Sequence, residues 1–253
     1  MIKLFRKNNI FDKLKKMPRY TQGTFKFDGF TVKYTDALSF YYEYKDIFQN
    51  KIYHINTMNK TPYIIDAGGC IGMSTLYFKQ QYPDAEIIVF EPDPHVFKIL
   101  DENITVNSLN NITTINKGLG KGTGIINFYA DGADGGSVTS TKSDNTTIAV
   151  EITKLSEYLN KRVDLLKMNI EGMEFEVFEE ISDKLHNVHE IIFEYHAFHN
   201  LPQTLGKILE ILDTKGFRYL VTDGTSSKIA TPFIMPKKYQ CFNLVYAKNL
   251  TRS

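Results

Sequence analysis

Short apolar runs alternate with amphipathic runs over most of this 253-residue chain. The apolar runs are typical of buried strands and cover residues 63–65, 86–90, 111–115, 163–169 and 190–196. Helical spacing marks residues 73–81, 94–107, 175–181 and 201–215, and Gly216 closes the last of these helices. This alternation predicts a doubly wound α/β sheet. Two final strands, 217–222 and 243–247, have no helix between them and predict an antiparallel edge hairpin.

Residues 1–55 follow a different pattern and are predicted to form a small N-terminal extension ahead of a main domain at 56–253. Residues 1–17 predict a basic helix with Ile10, Leu14 and Met17 on one face. That face packs on the domain or on a partner subunit, or the helix lies on an anionic membrane surface as a peripheral contact. Residues 23–36 predict a hairpin around Asp28-Gly29. Residues 39–49 predict an aromatic-rich helix that serves the core or a flat substrate.

Composition narrows the class of protein. A hydrophobic content of 42% and a charged content of 23% are typical of a globular domain, and no apolar run reaches the length that spans a bilayer. The 30 basic and 29 acidic residues nearly cancel, so the net charge does not indicate a nucleic-acid partner. The two cysteines, Cys70 and Cys241, form no metal or redox motif. We expect a cytoplasmic protein, and its oligomeric state stays open.

The segment from Thr61 to Gly72 predicts the ligand site. A strand ends in Asp66 and is followed by a turn with Gly68, Gly69, Cys70 and Gly72, which leads into a helix. Such glycines let the chain turn sharply and let a ligand approach the backbone closely. The spacing differs from GxGxxG, and a carboxylate stands at the strand tip, which suits a cationic ligand such as S-adenosylmethionine. The alternative is an ordinary tight turn between strand and helix.

A second acid strengthens the interpretation as a nucleoside site. Glu91 ends the next predicted strand, 19 positions after Gly72. An acid about 20 residues beyond the glycines accepts hydrogen bonds from ribose hydroxyls. This element does not by itself separate S-adenosylmethionine from a nicotinamide cofactor. Further along, Gly118 lies in a loop placed to cover an adenine.

These motifs together resemble the FkbM-type S-adenosylmethionine-dependent methyltransferases. The pieces are Asp66 to Gly72, Phe90 to Pro94, Leu100 to Asn103, Asp164 to Glu174 and Glu194 to His196. The resemblance implies a class I methyltransferase (Rossmann-like) sheet and O-methylation of a hydroxyl on a sugar, glycan, glycolipid or polyketide. It places the cofactor on nine residues: Asp66, Gly68, Gly69, Cys70, Gly72, Glu91, Pro92, Asn103 and Gly118.

Polar residues at the ends of the later strands supply the catalytic candidates, because open α/β sheets bind ligands beyond the carboxyl ends of their strands. The candidates are Lys167, Asn169, Glu171, Glu194 and His196. We predict His196 as the base that takes the hydroxyl proton, on an ordinary pKa of about 6.5, with Glu171 and Glu194 as alternatives. Lys167 orients a carboxylate or lowers the pKa of the acceptor hydroxyl. Asn169 stands where the family pattern has Asp, and a divalent metal among Asn169, Glu171 and Glu194 has no dedicated ligand motif.

Three other interpretations of the chain stay open. One is a nicotinamide-dependent oxidoreductase, and another is a nucleic-acid methyltransferase, against which the fourth strand lacks the Asp/Asn-Pro-Pro-aromatic tetrad. The third is a non-catalytic donor-binding subunit, for which Asn169 is the argument. Residues 131–147 are predicted to form either a surface loop or a lid over the substrate.

Overall fold

The computed structural model describes residues 11, 13–130, 136, 146–198, 201–223 and 240–251. Its strands in chain order are β1 Gly23–Phe27, β2 Phe30–Tyr34, β3 Tyr63–Ala67, β4 Glu86–Phe90, β5 Ile112–Ile115, β6 Gly118–Leu119, β7 Gly124–Ala130, β8 Thr146–Thr153, β9 Val163–Met168, β10 Val188–Phe198, β11 Phe217–Asp223 and β12 Gln240–Asn249. Its α-helices are α1 Ala37–Glu43, α2 Met73–Gln81, α3 Pro94–Val106, α4 Glu174–Ile181 and α5 Leu205–Thr214. A π-helix, Tyr44–Gln49, continues α1, and short 3-10 turns cover Leu155–Tyr158 and Ser182–Asn187.

A seven-stranded mixed sheet forms the centre of the fold, in the order β11-β12-β10-β9-β3-β4-β5. Its strands β5, β4, β3, β9 and β10 pair in parallel in that order, whereas β12 is antiparallel to both β10 and β11. The predicted α/β class and its closing antiparallel strands are therefore confirmed. Within this arrangement β12 is an inner strand, and β11 forms the edge.

The two faces of the sheet bury separate hydrophobic cores, because successive side chains of a strand point to opposite faces. Ile64, Leu165, Ile192 and Leu244 belong to the core shared with α2, α3 and the N-terminal extension. The residues that follow them along the four strands, Ile65, Leu166, Phe193 and Val245, belong to the core shared with α4 and α5. The extension therefore covers one face of the sheet.

The N-terminal extension contains the predicted hairpin, β1 and β2, with register pairs up to Phe27–Phe30 across Asp28-Gly29. Phe11 stacks on Tyr44 at 3.8 Å, and Phe40 of α1 is fully buried beside them. These rings belong to the same hydrophobic core as Ile64 of β3 and Leu165 of β9. The aromatic helix thus serves packing, although Tyr42 is 43% exposed. The boundary between 1–55 and 56–253 stays a prediction.

The predicted apolar face of the first helix is only partly correct. Leu14 is buried as expected, but Met17 is 37% exposed, and Phe11 takes the second buried position. Ile10 and most of residues 1–12 lie outside the described residues, so the predicted membrane contact is not addressed. Among the helices of the described ranges, none combines the length and apolarity needed to cross a membrane.

A small three-stranded sheet, in the order β6-β8-β7, lies apart from the main one. The sequence analysis missed β8, which begins at Thr146 inside the segment interpreted as a loop or lid. Most of that segment, 131–135 and 137–145, lies outside the described residues, and so do residues 224–239 between β11 and β12.

Candidate active site

The carboxyl ends of β3, β4, β9 and β10 bring the predicted site residues to one edge of the sheet. Asp66 lies in β3, Glu91 directly follows β4, and Asn169 directly follows β9. Glu194 and His196 lie near the end of β10, two positions apart and therefore on one face. Parallel pairing with a common direction explains the convergence of residues that are distant in sequence.

The turn after β3 requires glycine for steric reasons. Gly68 has φ +80°, and a Cβ there would lie 1.8 Å from the carbonyl oxygen of Asn169. A Cβ at Gly69 would lie 2.3 Å from Cγ1 of Val89. Gly72 begins α2 with φ +95° and supplies no side-chain cap. Both Gly68 and Gly69 donate backbone hydrogen bonds to the carbonyl of Phe90, so the turn is fixed against the end of β4.

Asp66 and Lys167 form a buried ion pair beneath this turn. The two residues are direct neighbours in the register of β3 and β9, and Lys167 Nζ lies 3.0 Å from Asp66 Oδ1. The hydroxyls of Ser74 and Thr75 donate to Asp66 Oδ2 at 2.6 and 2.8 Å. Lys167 Nζ also donates to the carbonyl of Gly68 at 2.6 Å. Asp66 therefore stabilises the turn from below, and its direct contact with a ligand stays a prediction.

Glu91 is a buried carboxylate that two backbone N–H groups hold in place. Oε2 accepts from Cys70 N at 3.0 Å, and Oε1 accepts from Asp93 N at 2.9 Å. Burial raises the pKa of Glu91 to about 7, although these hydrogen bonds and the Lys167 charge act in the opposite direction. Hydrogen bonds from further hydroxyl groups would stabilise the ionised form of this buried carboxylate, and the predicted ribose contact would supply them.

The other predicted cofactor residues divide into two groups. Pro92 and Gly118 lie close together, since a Cβ at Gly118 would be 3.5 Å from Cβ of Pro92. Asn103 instead bonds to protein backbone: its amide donates to Ile71 O and Lys33 O and accepts from Lys33 N. Asn103 thereby ties the Gly-rich turn to β2 from behind, and its predicted ligand contact stays a prediction.

His196 lies between two carboxylates. Its Nδ1 is 2.9 Å from Glu174 Oε1, and its Nε2 is 3.3 Å from Glu171 Oε1. Burial alone would lower the pKa of His196, but the two carboxylates raise it well above its usual value. The ordinary pKa assumed in the sequence analysis therefore does not hold, because the two carboxylates favour the imidazolium form and both ring nitrogens are engaged. Its partner Glu171 has φ +51° and a side chain that is 20% exposed, so this carboxylate is the more accessible of the two.

Sequence reasoning missed Tyr53, which precedes β3 in the extension. Its hydroxyl donates to Glu194 Oε1 at 2.5 Å, across 141 positions of sequence. Burial raises the pKa of Glu194, while His196, Tyr53 and Lys167 act to lower it. The side chain of Asn169 acts to lower the pKa of the Tyr53 hydroxyl. Nothing local in the sequence marks Tyr53, because the contact depends on the folding of the extension across the sheet.

No group of three or more His, Cys, Asp or Glu side chains within the described ranges is arranged to hold a metal ion. The suggested divalent metal among Asn169, Glu171 and Glu194 therefore gains no support from that part of the chain.

A Gly-rich turn, an acid at the end of the second parallel strand and a sheet closed by antiparallel strands define a class I methyltransferase that uses S-adenosylmethionine. Residues 66–219 match the methyltransferase FkbM domain, and the chain belongs to that family. The nicotinamide-dependent alternative is thereby excluded.

Two curated proteins are similar in sequence. Methyltransferase 1 of Beauveria bassiana is 30% identical over 186 residues, which is 62% of this chain and 74% of that protein. Methyltransferase sdnD of Sordaria araneosa is 28% identical over 193 residues, covering 59% and 74% of the two chains. A methyltransferase FkbM from Methylobacillus flagellatus shares the fold, with a TM-score of 0.51, 13% identity and coverage of 97% of this chain and 60% of that one.

The site residues fit S-adenosylmethionine. The turn at Gly68 and Gly69 has no side chains to obstruct a ligand, and the Glu91 carboxylate suits the two hydroxyls of a ribose. The backbone N–H of Cys70 donates to Glu91, so the Gly-rich turn and the acid that would bind the ribose are fixed relative to each other. When bound, the cofactor supplies an electrophilic methyl group on a sulfonium.

Donor affinity is expected to depend on pH through Glu91. Its pKa of about 7 means that the carboxylate, which accepts ribose hydroxyls, is lost as pH falls through that value. If only the ionised form binds, the Kd of S-adenosylhomocysteine rises about tenfold between pH 8 and pH 6. Calorimetric titration over this range measures it. Glu91→Gln should bind weakly with a flat profile, and an unchanged Kd in the wild-type protein would contradict the role of Glu91.

Proposed function

We propose that this methyltransferase transfers the methyl group to a hydroxyl oxygen of a sugar or glycan acceptor, the same chemistry extending to glycolipid or polyketide hydroxyls. The observation that supports the proposal is the partly exposed Glu171 carboxylate, paired at 3.3 Å with the buried His196, whose pKa the neighbouring carboxylates raise. A hydroxyl must lose its proton during methylation, whereas a neutral amine attacks through its lone pair without prior deprotonation. A preorganised proton acceptor therefore favours oxygen as the nucleophile.

In this proposal Glu171 takes the place that the sequence analysis gave to His196. Glu171 Oε1 accepts the hydroxyl proton while the oxygen attacks in line. His196 acts as a cation that holds Glu171 in place, and Glu174 fixes the other side of the ring at 2.9 Å. Lys167 neutralises Asp66 and holds the Gly68 carbonyl, which keeps the donor side fixed relative to the acceptor side.

Glu171→Gln is expected to lower kcat about 10²- to 10⁴-fold, the usual contribution of a positioned general base. The Kd of S-adenosylhomocysteine should change little, because Glu91 and the Gly-rich turn remain intact. Steady-state kinetics and calorimetry measure the two quantities. The matched control is Glu179→Gln, whose carboxylate pairs with exposed Lys121 at 3.1 Å on the surface. Full turnover by Glu171→Gln would rule out Glu171 as the base.

Acceptor chemistry is tested by label transfer from methyl-tritiated S-adenosylmethionine to a panel of free sugars, alkyl glycosides, primary amines and carboxylic acids. The proposal expects label on hydroxyl-bearing compounds, in a bond stable to mild base, unlike a methyl ester. Transfer to amines alone would overturn it. The proposal keeps small-molecule or glycan acceptors and a cytoplasmic location. It also keeps the lack of a nucleic-acid partner, which the balanced net charge of +1 supports.

A further inference from the structure

Tyr53 belongs to the N-terminal extension, yet its side chain lies against Lys167 of β9 and Glu194 of β10. It follows the π-helix Tyr44–Gln49, and backbone bonds on either side hold it: Ile52 N donates to Asp46 O, and His54 N donates to Lys51 O. Ile55 beyond it is buried in the core, and the Tyr82 hydroxyl donates to its carbonyl at 3.3 Å. Only 4% of the Tyr53 surface is exposed, so the surrounding residues hold this side chain in one position.

The Tyr53 ring meets side chains from two neighbouring strands. Its hydroxyl donates to Glu194 Oε1 on β10, and Lys167 Nζ of β9 lies 5.3 Å from the ring centroid. The side chain of Asn169, just beyond β9, acts on the pKa of the same hydroxyl. Tyr53 therefore bridges the donor-side pair, Asp66 and Lys167, and the acceptor-side acid Glu194.

Tyr53 itself is unsuited to act as a base. Burial and then the charge of Glu194 raise its pKa well above the usual value, so the hydroxyl keeps its proton and serves as a fixed donor. Within the described residues, that hydroxyl is the hydrogen-bond donor to the Glu194 carboxylate. A buried carboxylate without its donor takes up a proton more readily, which would change the charge next to His196.

We propose that Tyr53 is a positioning residue of the methyl-transfer site, whose hydroxyl holds the Glu194 carboxylate beside His196 and makes the N-terminal extension part of the catalytic unit. This inference rests on the proposed function, in which the pair of His196 and Glu171 serves the acceptor. Glu194 attracts the imidazolium from within β10, and Glu171 and Glu174 attract it from the turn and from α4. The charged and titratable groups that act on Glu194 come from three strands and two connecting segments and include Tyr53, Lys167, Glu171, His196 and Tyr246.

Tyr53→Phe removes one oxygen and keeps the ring. We expect kcat to fall about 10- to 100-fold, as for a lost hydrogen bond to a charged group, with the Kd of S-adenosylhomocysteine unchanged. Tyr77→Phe is the matched control, because Tyr77 is equally buried, at 3% exposure, and its hydroxyl contacts His54 Nδ1 at 3.2 Å. The control should retain wild-type turnover.

A second measurement needs no acceptor. Infrared difference spectra across a pH titration follow the protonated carboxyl band of Glu194, identified by its loss in Glu194→Gln. The band should appear at a higher pH in Tyr53→Phe than in the wild type or Tyr77→Phe. An unmoved band overturns the inference, and so does wild-type turnover in Tyr53→Phe with a moved band. If the wild-type enzyme labels amines alone, the proposed function is wrong. The role of Tyr53 is then still decided by the infrared spectra and by turnover with the amine acceptor.

Discussion

Lys167→Met is expected to destabilise the protein by about 3–5 kcal/mol, because it leaves the fully buried carboxylate of Asp66 without its cation. The side chains of the pair are 3% and 0% exposed, so water cannot compensate for the lost charge. The same substitution removes the donor to Gly68 O and loosens the ligand turn. Urea unfolding of the wild type and the variant gives the difference in free energy.

The control for that experiment is an exposed pair of the same type. Lys121→Met breaks a pair with Glu179 whose side chains are 68% and 38% exposed, and such pairs contribute about 0–1 kcal/mol. A further variant, Asp66→Asn with Lys167→Met, removes both charges and should recover part of the loss, since the Asn oxygen can still accept from Ser74 and Thr75. Equal losses in Lys167→Met and Lys121→Met would contradict the buried-pair account.

Gly68→Ala is expected to abolish donor binding. Its methyl group would lie 1.8 Å from the carbonyl oxygen of Asn169, and the backbone at φ +80° disfavours any side chain. Relief requires that the turn separates from the end of β9, which displaces the Lys167 bond to Gly68 O and the Gly68 N bond to Phe90 O. We expect no detectable heat with S-adenosylhomocysteine, a loss of more than about 100-fold.

Gly122→Ala is the matched control, because a Cβ there meets nothing within 4 Å. It should bind S-adenosylhomocysteine as the wild type does. Circular dichroism of both variants separates a local loss of binding from global unfolding. Wild-type affinity in Gly68→Ala would show that the turn can open at little cost, contrary to the tight packing described above.

The strand-end residues were predictable because one rule links them to the fold. Where strands and helices alternate along the chain, the strands are parallel and their carboxyl ends meet at one edge of the sheet. Asp66, Glu91 and Asn169 therefore fall at that edge, whatever the order in which the strands pair. The pairing of Lys167 with Asp66 needed the register of β3 and β9, which local pattern does not contain. The raised pKa of His196 could not be predicted, because Glu171 and Glu174 approach the ring only in the folded chain.

Two elements were missed for the same physical reason. β8 begins at Thr146 inside a segment rich in Asp, Ser and Thr, and it pairs with β7 outside the main sheet, so its pairing partner is not adjacent to it in sequence. Tyr53 contacts a residue 141 positions away. In both cases the decisive interaction is non-local, and propensity and periodicity carry no information about it.

The position of β12 has a consequence for how the chain folds. β10 spans Val188–Phe198, yet the strand that completes its outer edge is Gln240–Asn249, about forty residues further along. During synthesis that edge of β10 emerges unpaired, and it stays open until β12 inserts between β10 and β11. Insertion of this inner strand makes closure of the sheet one of the last steps of folding during synthesis. Nascent chains halted before β12 therefore expose an open strand edge that can pair with another chain.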